Sequence, residues 1–223
     1  MVASSFSTRA RRGALVVRQY AVVHASGSDI LQGSGRAATE TREVAAFTGI
    51  DLAGSNELIV RVGGERRVVV HADDNLLGHI TTDVQAGVLV VGNMPGSIET
   101  KSRTYVEIDV PSVDTLALSG SGVVTVTGVE ASGLAVRLPG SGLLRASGRA
   151  TALDVELGGS GDAQLRELTA ADVSASVSGS GRIVVTATNR LDATVSGSGA
   201  VVYGGEPPHL ATSVTGTGAV LPG

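Results

Sequence analysis

A Gly-Ser-Gly triplet, or its Gly-Thr-Gly relative, returns six times at almost constant spacing, and no other feature narrows the possible folds of this chain so far. The copies are Gly120-Ser121-Gly122, Gly140-Ser141-Gly142, Gly159-Ser160-Gly161, Gly179-Ser180-Gly181, Gly197-Ser198-Gly199 and Gly216-Thr217-Gly218, with intervals of 20, 19, 20, 18 and 19 residues. A fixed period of this length marks a repeat architecture in which each unit stacks on its neighbours.

Alternation around the triplet gives the unit its secondary structure. Two residues before the first glycine stand Leu118, Leu138, Leu157, Val177, Val195 and Val214; four before it stand Leu116, Val136, Val155, Ala175, Ala193 and Thr212. Arg137, Asp154, Glu156, Ser174, Asp192 and Thr194 fall between them. Such period-two alternation is a strand with one buried face. A second strand follows each triplet, with Val124, Leu144, Ala163, Ile183, Val201 and Val220 two residues past the last glycine. The unit therefore reads as strand, glycine corner, strand and a variable connector such as residues 128–133.

The few inward side chains of one unit cannot offset the entropy of ordering its backbone, so neighbours must seal the core and supply hydrogen bonds. The sequence predicts an all-β, right-handed parallel β-helix: a β-solenoid of about 19–20 residues per coil, with coils about 4.8 Å apart. One outward column would carry Ala117, Arg137, Glu156, Ser176, Thr194 and Ser213; another would carry Val123, Leu143, Asp162, Arg182, Ala200 and Ala219. Glycine suits the corner for either of two reasons: a positive φ, or the absence of a side chain where backbones crowd. The corner residues are read as a structural column, with the serine hydroxyls directed outward by strand parity.

The pattern reaches backward. Ile50 and Leu52 precede Gly54-Ser55-Asn56, and Leu58 and Val60 follow it, with Asn56 replacing the second glycine because Asn tolerates left-handed geometry. Leu31 before Gly33-Ser34-Gly35 reads as a fragment of a further coil. The 66 residues from Gly54 to Gly120 have room for about three coils with insertions. Strands are expected at 68–70, 88–91 and 105–110, and residues 72–77 read as a short helix capped by Asp73 or Asp74. The expected organisation is an N-terminal tail or degraded leader over residues 1–38 and one solenoid domain over 39–221. Its irregular coils with insertions occupy 39–113, and its regular coils 114–221.

Three further segments add to the corners: Thr41-Arg42-Glu43-Val44-Ala45-Ala46-Phe47-Thr48-Gly49-Ile50, His71-Ala72-Asp73-Asp74-Asn75-Leu76 and Gly87-Val88-Leu89-Val90-Val91. Together they resemble the "putative auto-transporter adhesin, head GIN domain" family of bacterial envelope proteins, over roughly residues 39–221. The resemblance implies a β-helical domain, location in the cell envelope or outside the cell, and adhesion to a surface ligand, glycan or protein. It brings no catalytic motif. The chain departs from the family pattern at its start. Arg9, Arg11 and Arg12 precede an apolar run that Arg18 and Gln19 interrupt after five residues, so no convincing signal peptide is read, and no cysteine is present for lipidation.

Composition excludes other classes. Without cysteine there is no disulfide scaffold, thiolate zinc site or thiol nucleophile. Two Phe and three Tyr force an aliphatic core and leave no stacking platform for single-stranded nucleic acid. The net charge is −4 and the arginines are scattered, so no nucleic-acid partner is expected. No apolar run is long enough for a transmembrane segment.

Candidate chemistry is sparse. The corner serines lack the strand-to-helix setting of a Gly-x-Ser-x-Gly nucleophile. Asp162 after Gly158-Gly159-Ser160-Gly161 resembles a calcium-binding nonapeptide but occurs once, where that motif works in tandem. His71, Asp73, Asp74 and His79 are the densest metal-competent group, yet a metal site needs three or four to converge, and helix capping explains the aspartates. Catalytic, cofactor-binding and metal residues are therefore all read as none, and no cofactor is expected. The leading reading is a non-catalytic cell-envelope or surface protein, a binding or scaffold module. The alternative is a carbohydrate-active β-helix enzyme, a polysaccharide lyase or hydrolase, using Asp154 with Glu156, or Asp172 with Asp192. The final Val220-Leu221-Pro222-Gly223 has no capping helix after it, so self-association through that solenoid end is expected unless Pro222 blocks the edge.

Overall fold

The computed structural model describes residues 30–223, so the leader-like residues 9–26 lie outside the described residues. Strands β1 (Leu31–Gln32) and β2 (Ala37–Thr41) lead into β3 (Gly49–Leu52) and β4 (Glu57–Val62). Next come β5 (Arg67–Asp73), a 3₁₀ turn (Leu77–His79), β6 (Ile80–Gln85), β7 (Val88–Asn93), β8 (Ile98–Glu99) and β9 (Tyr105–Val110). From β10 (Thr115–Leu118) the chain winds through β11 (Val123–Leu138), β12 (Leu143–Leu157), β13 (Asp162–Val177) and β14 (Arg182–Val195). It finishes with β15 (Ala200–Gly204), β16 (His209–Val214) and β17 (Ala219–Pro222).

The stacked parallel coils of a β-solenoid are present as expected. Before the corner, Leu138 pairs with Leu157, Leu157 with Val177, Val177 with Val195, and Val195 with Val214. After it, Leu58, Val124, Leu144, Ala163, Ile183, Val201 and Val220 form one column. Apolar side chains from all but the last coil are buried in a single aliphatic core. Both outward columns named above are in register, coil by coil.

Four local expectations are corrected. The connectors are not loops: β11 runs unbroken through residues 128–133, and its neighbours do likewise. Register shifts bend these strands instead, and buried Val129, Ala150, Leu168 and Ala187 give the coil a third apolar wall. Secondly, the stretch between Gly54 and Gly120 holds one coil rather than three. Its β7 and β9 pair in parallel with β3 and β4, on the side opposite β10 and β11. The coil of β3 and β4 is thus sandwiched between two segments that both follow it in sequence.

Antiparallel strands account for the rest of that insertion. β5 pairs with β9, β2 with β5, and β6 with β7, covering the edges that a terminal parallel coil would leave open. Between β6 and β7, Ala86 and Gly87 adopt φ of 49° and 80°, the positive values that a tight hairpin of this hand requires. Thirdly, residues 72–77 are not a helix. β5 continues through Asp73, the chain turns with the Leu76 N–H bonded to the Asp73 carbonyl (2.8 Å), and one 3₁₀ turn follows. Finally, Gly33-Ser34-Gly35 is no coil corner; it is a loop after β1, which among the described residues pairs only with the two-residue β8.

Candidate binding surface

The glycine corner comes first because the repeat is built on it. At each level an amide of one coil donates to a carbonyl of the coil before: Ser121 N–H to Gly54 O, Ser141 N–H to Gly120 O, and Ser198 N–H to Gly179 O, all at 3.1 Å. A Cβ placed on Gly140 would fall far inside 3.0 Å of that same Gly120 oxygen, and Gly159, Gly179 and Gly197 meet the carbonyl below them in the same way. Of the two reasons for glycine, crowding is the operative one. Among the corner glycines only Gly216 has a positive φ, of 130°.

Asn56 is corrected by the same logic. Its φ is not positive; its side chain is buried and donates to the Asn93 Oδ1 at 2.5 Å. The layer beyond it has a longer excursion, residues 94–104 with β8 within it, in place of a tight corner, which leaves room for a side chain. The corner hydroxyls are exposed, and among the described residues only Thr217 bonds to another of them, Ser198, at 3.0 Å.

The side chains considered for metal binding do not converge. Asp73 is fully buried and accepts hydrogen bonds from the Lys101 N–H (2.8 Å), the Ser102 hydroxyl (2.7 Å), the Ser102 N–H (3.3 Å) and the Gly35 N–H (2.9 Å). These donors, the Lys101 amide foremost, hold its carboxyl below the usual aspartate range. It is a clamp between two loops rather than a helix cap. Asp74 accepts from the Ser34 hydroxyl at 2.5 Å, and His71 stacks on Tyr105 with centroids 4.2 Å apart.

The carboxylates weighed for glycoside chemistry are tied to cations or amides. Asp154 and Glu156 share Arg137, at 2.6 and 3.0 Å. Arg190 holds Asp192 at 2.7 Å, and Asn189 donates to Asp172 at 2.6 Å. Tyr105 is also engaged on its ring surface, since the Arg103 guanidinium carbon lies 4.7 Å from the ring centroid while Arg103 bonds to Glu57.

A groove on the exterior lies on the strands after the corner. Thr125, Arg145 and Gln164 stand side by side on β11, β12 and β13. Just beyond them the three strands shift register and bend, and Thr127, Ser147, Arg166 and Glu167 bank the resulting groove of about 280 Å³. Arg145 and Arg166 have no ion-pair partner among the described residues, whereas Arg61, Arg103, Arg137 and Arg190 each hold a carboxylate. Sequence reasoning missed this grouping. Parity marks Arg145 as outward, but only the bulges show that consecutive Arg166 and Glu167 are both exposed.

Comparison with known proteins gives one family and several solved structures of similar fold. The model of the family described as "Putative auto-transporter adhesin, head GIN domain" matches residues 46–207. A putative adhesin from Bacteroides fragilis superposes with a TM-score of 0.72 at 22% identity, covering 86% of this chain and 99% of its own. A putative lipid binding protein from Parabacteroides distasonis gives a TM-score of 0.59 at 21% identity, covering 87% and 100% respectively. No curated protein matches the chain.

Proposed function

The chain belongs to the auto-transporter adhesin family with the head GIN domain, and on that premise we propose that it is a non-catalytic binding module of the cell surface or envelope. The observation that carries this is the state of its exterior. Rigid, in-register columns present flat outward faces, and the carboxylates weighed for acid–base work are tied to Arg137, Arg190 or Asn189. Binding by such a surface is spread over many contacts on a preformed frame, so little ordering cost opposes it. A glycan-array screen paired with a reducing-sugar assay tests the reading. Binding without turnover is expected; sugar release that disappears in Glu156→Gln would establish the hydrolase or lyase instead.

A separate observation favours self-association as an accompanying property. In the last described coil, side chains of columns that elsewhere point into the core are half-exposed: Leu210, in register with Leu191, at 47%, and Val214, in register with Val195, at 45%. No described strand pairs with the outer edges of β16 and β17, and neither strand carries an Asp, Glu, Lys or Arg. The opposite end is covered by antiparallel strands, so the same end of a second copy is the fitting occupant. Light scattering should show dimers that Leu210→Glu dissolves. Monomer alone at high concentration rejects the pairing.

A further inference from the structure

We propose that the hollow between β2 and the segment before β9 binds one neutral pyranose ring of a surface glycan, with the open face of His71 as its platform. The proposal rests on the surface-module reading and names the class of ligand such a module would take.

Strand order builds the platform. β9 lies between β5 and β4, so His71 on β5 and Glu57 on β4 flank Tyr105 from opposite sides. His71 stacks on one face of Tyr105, the rings 5° from parallel. The Arg103 guanidinium, held by Glu57 at 2.7 and 3.2 Å, takes the other face. The imidazole is thus the end of a three-layer stack. Its Nε2 lies 3.4 Å from Glu107, which Arg61 fixes in turn at 3.0 Å. Its second face turns toward β2. The residue directly opposite there is Thr39, with Ala37 on the same side of the strand, and these small side chains leave a hollow of about 440 Å³ over the Ala38–Ala72 pair. Ser102 and Arg103 close its far wall.

The lining sets the class of ligand. Arg103 is the only permanently charged residue in it, and Glu57 already meets that charge, so neither an anion nor a cation gains a partner. A ligand that is polar at its rim and apolar on its face gains from both parts. Ring C–H groups pack on the imidazole and the Ala37 methyl, while the Thr39 and Tyr105 hydroxyls both donate and accept. An acyl chain or a flat aromatic side chain would cover those hydroxyls without pairing them, which costs free energy. The volume falls within the range of small-ligand sites and suits a sugar unit. Beyond the hollow the same face runs on through Glu57, Val123 and Leu143 in register, a track for the rest of the glycan.

Histidine-selective NMR titration of the full chain tests this. The neutral probes are cello-, chito- and manno-oligosaccharides; oligogalacturonate, phosphatidylcholine vesicles and a tyrosine-rich peptide represent the other classes. At least one neutral series should shift the His71 ring signals saturably, while those of His209, at the far end of the solenoid, stay in place. Ala37 is exposed, so Ala37→Leu fills the hollow without disturbing the core and should abolish the response. By calorimetry, His71→Ala should weaken binding roughly three- to tenfold, the scale of an aromatic stacking contact, and His71→Phe should keep most of the affinity. Thr41→Val, on the same side of β2 but outside the hollow, should leave affinity within about twofold. Thermal melts establish that each variant is folded.

Equal responses to the uronate, the vesicles or the peptide would overturn the proposal, as would no response to any neutral series. Retention of a surface glycan by Ala37→Leu would sink the hollow yet leave the surface-module reading intact. Failure of the chain to bind any ligand on the array would remove both.

Discussion

At the scale of single residues, glycine in this fold is a statement about distance. The Gly120 carbonyl accepts the Ser141 amide and stands where a Cβ on Gly140 would have to be. Gly140→Ala should therefore cost about 1–3 kcal/mol or more, the usual penalty for forcing atoms into a filled site. Gly133, in the connector, has nothing within 4 Å of its would-be Cβ and no positive φ. Gly133→Ala should be neutral or stabilising by up to about 1 kcal/mol, through the lower entropy of the unfolded chain. Paired urea titrations check both. The six triplets were legible in the sequence at once, but their reason was not, because crowding and dihedral freedom favour the same residue. Asn56 and Ala86 were misread or unread on similar grounds. Asn56 fills space that a distant loop leaves open, and Ala86 occupies a positive φ where Asn or Gly would have announced a hairpin.

At the scale of elements, apolar–polar alternation made the coils from Thr115 onward legible and left the insertion obscure. β5 carries the continuous apolar run Val68–Val70 and β6 an ordinary alternation, and nothing local says that they run antiparallel, or that β7 and β9 stack on a coil earlier in the chain. The groove escaped for a related reason, since it depends on bulges in three successive strands. Element-level stability should follow burial. Leu157 is fully enclosed between Leu138 and Val177, so Leu157→Ala should cost about 2–5 kcal/mol. Leu210, in the same kind of position but half-exposed, should cost well under half as much in the monomer, because less area leaves water there.

The insertion is also joined by a charge. Asp73 binds the loops at residues 33–36 and 100–104, and its folded pKa lies below that of a free aspartate. Its contribution to stability is then fully present above the unfolded pKa of about 3.9, and is lost as pH falls through the lower folded value. Melting temperature should accordingly be insensitive to Asp73 between pH 5 and 7 and drop in stronger acid. Asp73→Asn should be less stable at neutral pH, with a shallower acid decline. An unchanged acid profile in Asp73→Asn would show that other carboxylates govern it.

At the scale of the whole molecule, each coil depends on its neighbours for hydrogen bonds and for a sealed core, so the fold stands or falls with parallel, in-register stacking. The absence of cysteine gives a clean background for testing this by thiol bridging. Ser176 and Thr194 are partners on adjacent coils, about 4.8 Å apart, and Ser213 lies one coil further, about 9.6 Å from Ser176. The decisive measurement is bridging of introduced cysteine pairs by a short bifunctional bimane reagent that fluoresces once both arms have reacted. Ser176→Cys/Thr194→Cys should bridge rapidly and Ser176→Cys/Ser213→Cys should not. Comparable bridging of both pairs, or none of the first in a folded chain, would contradict the stacking.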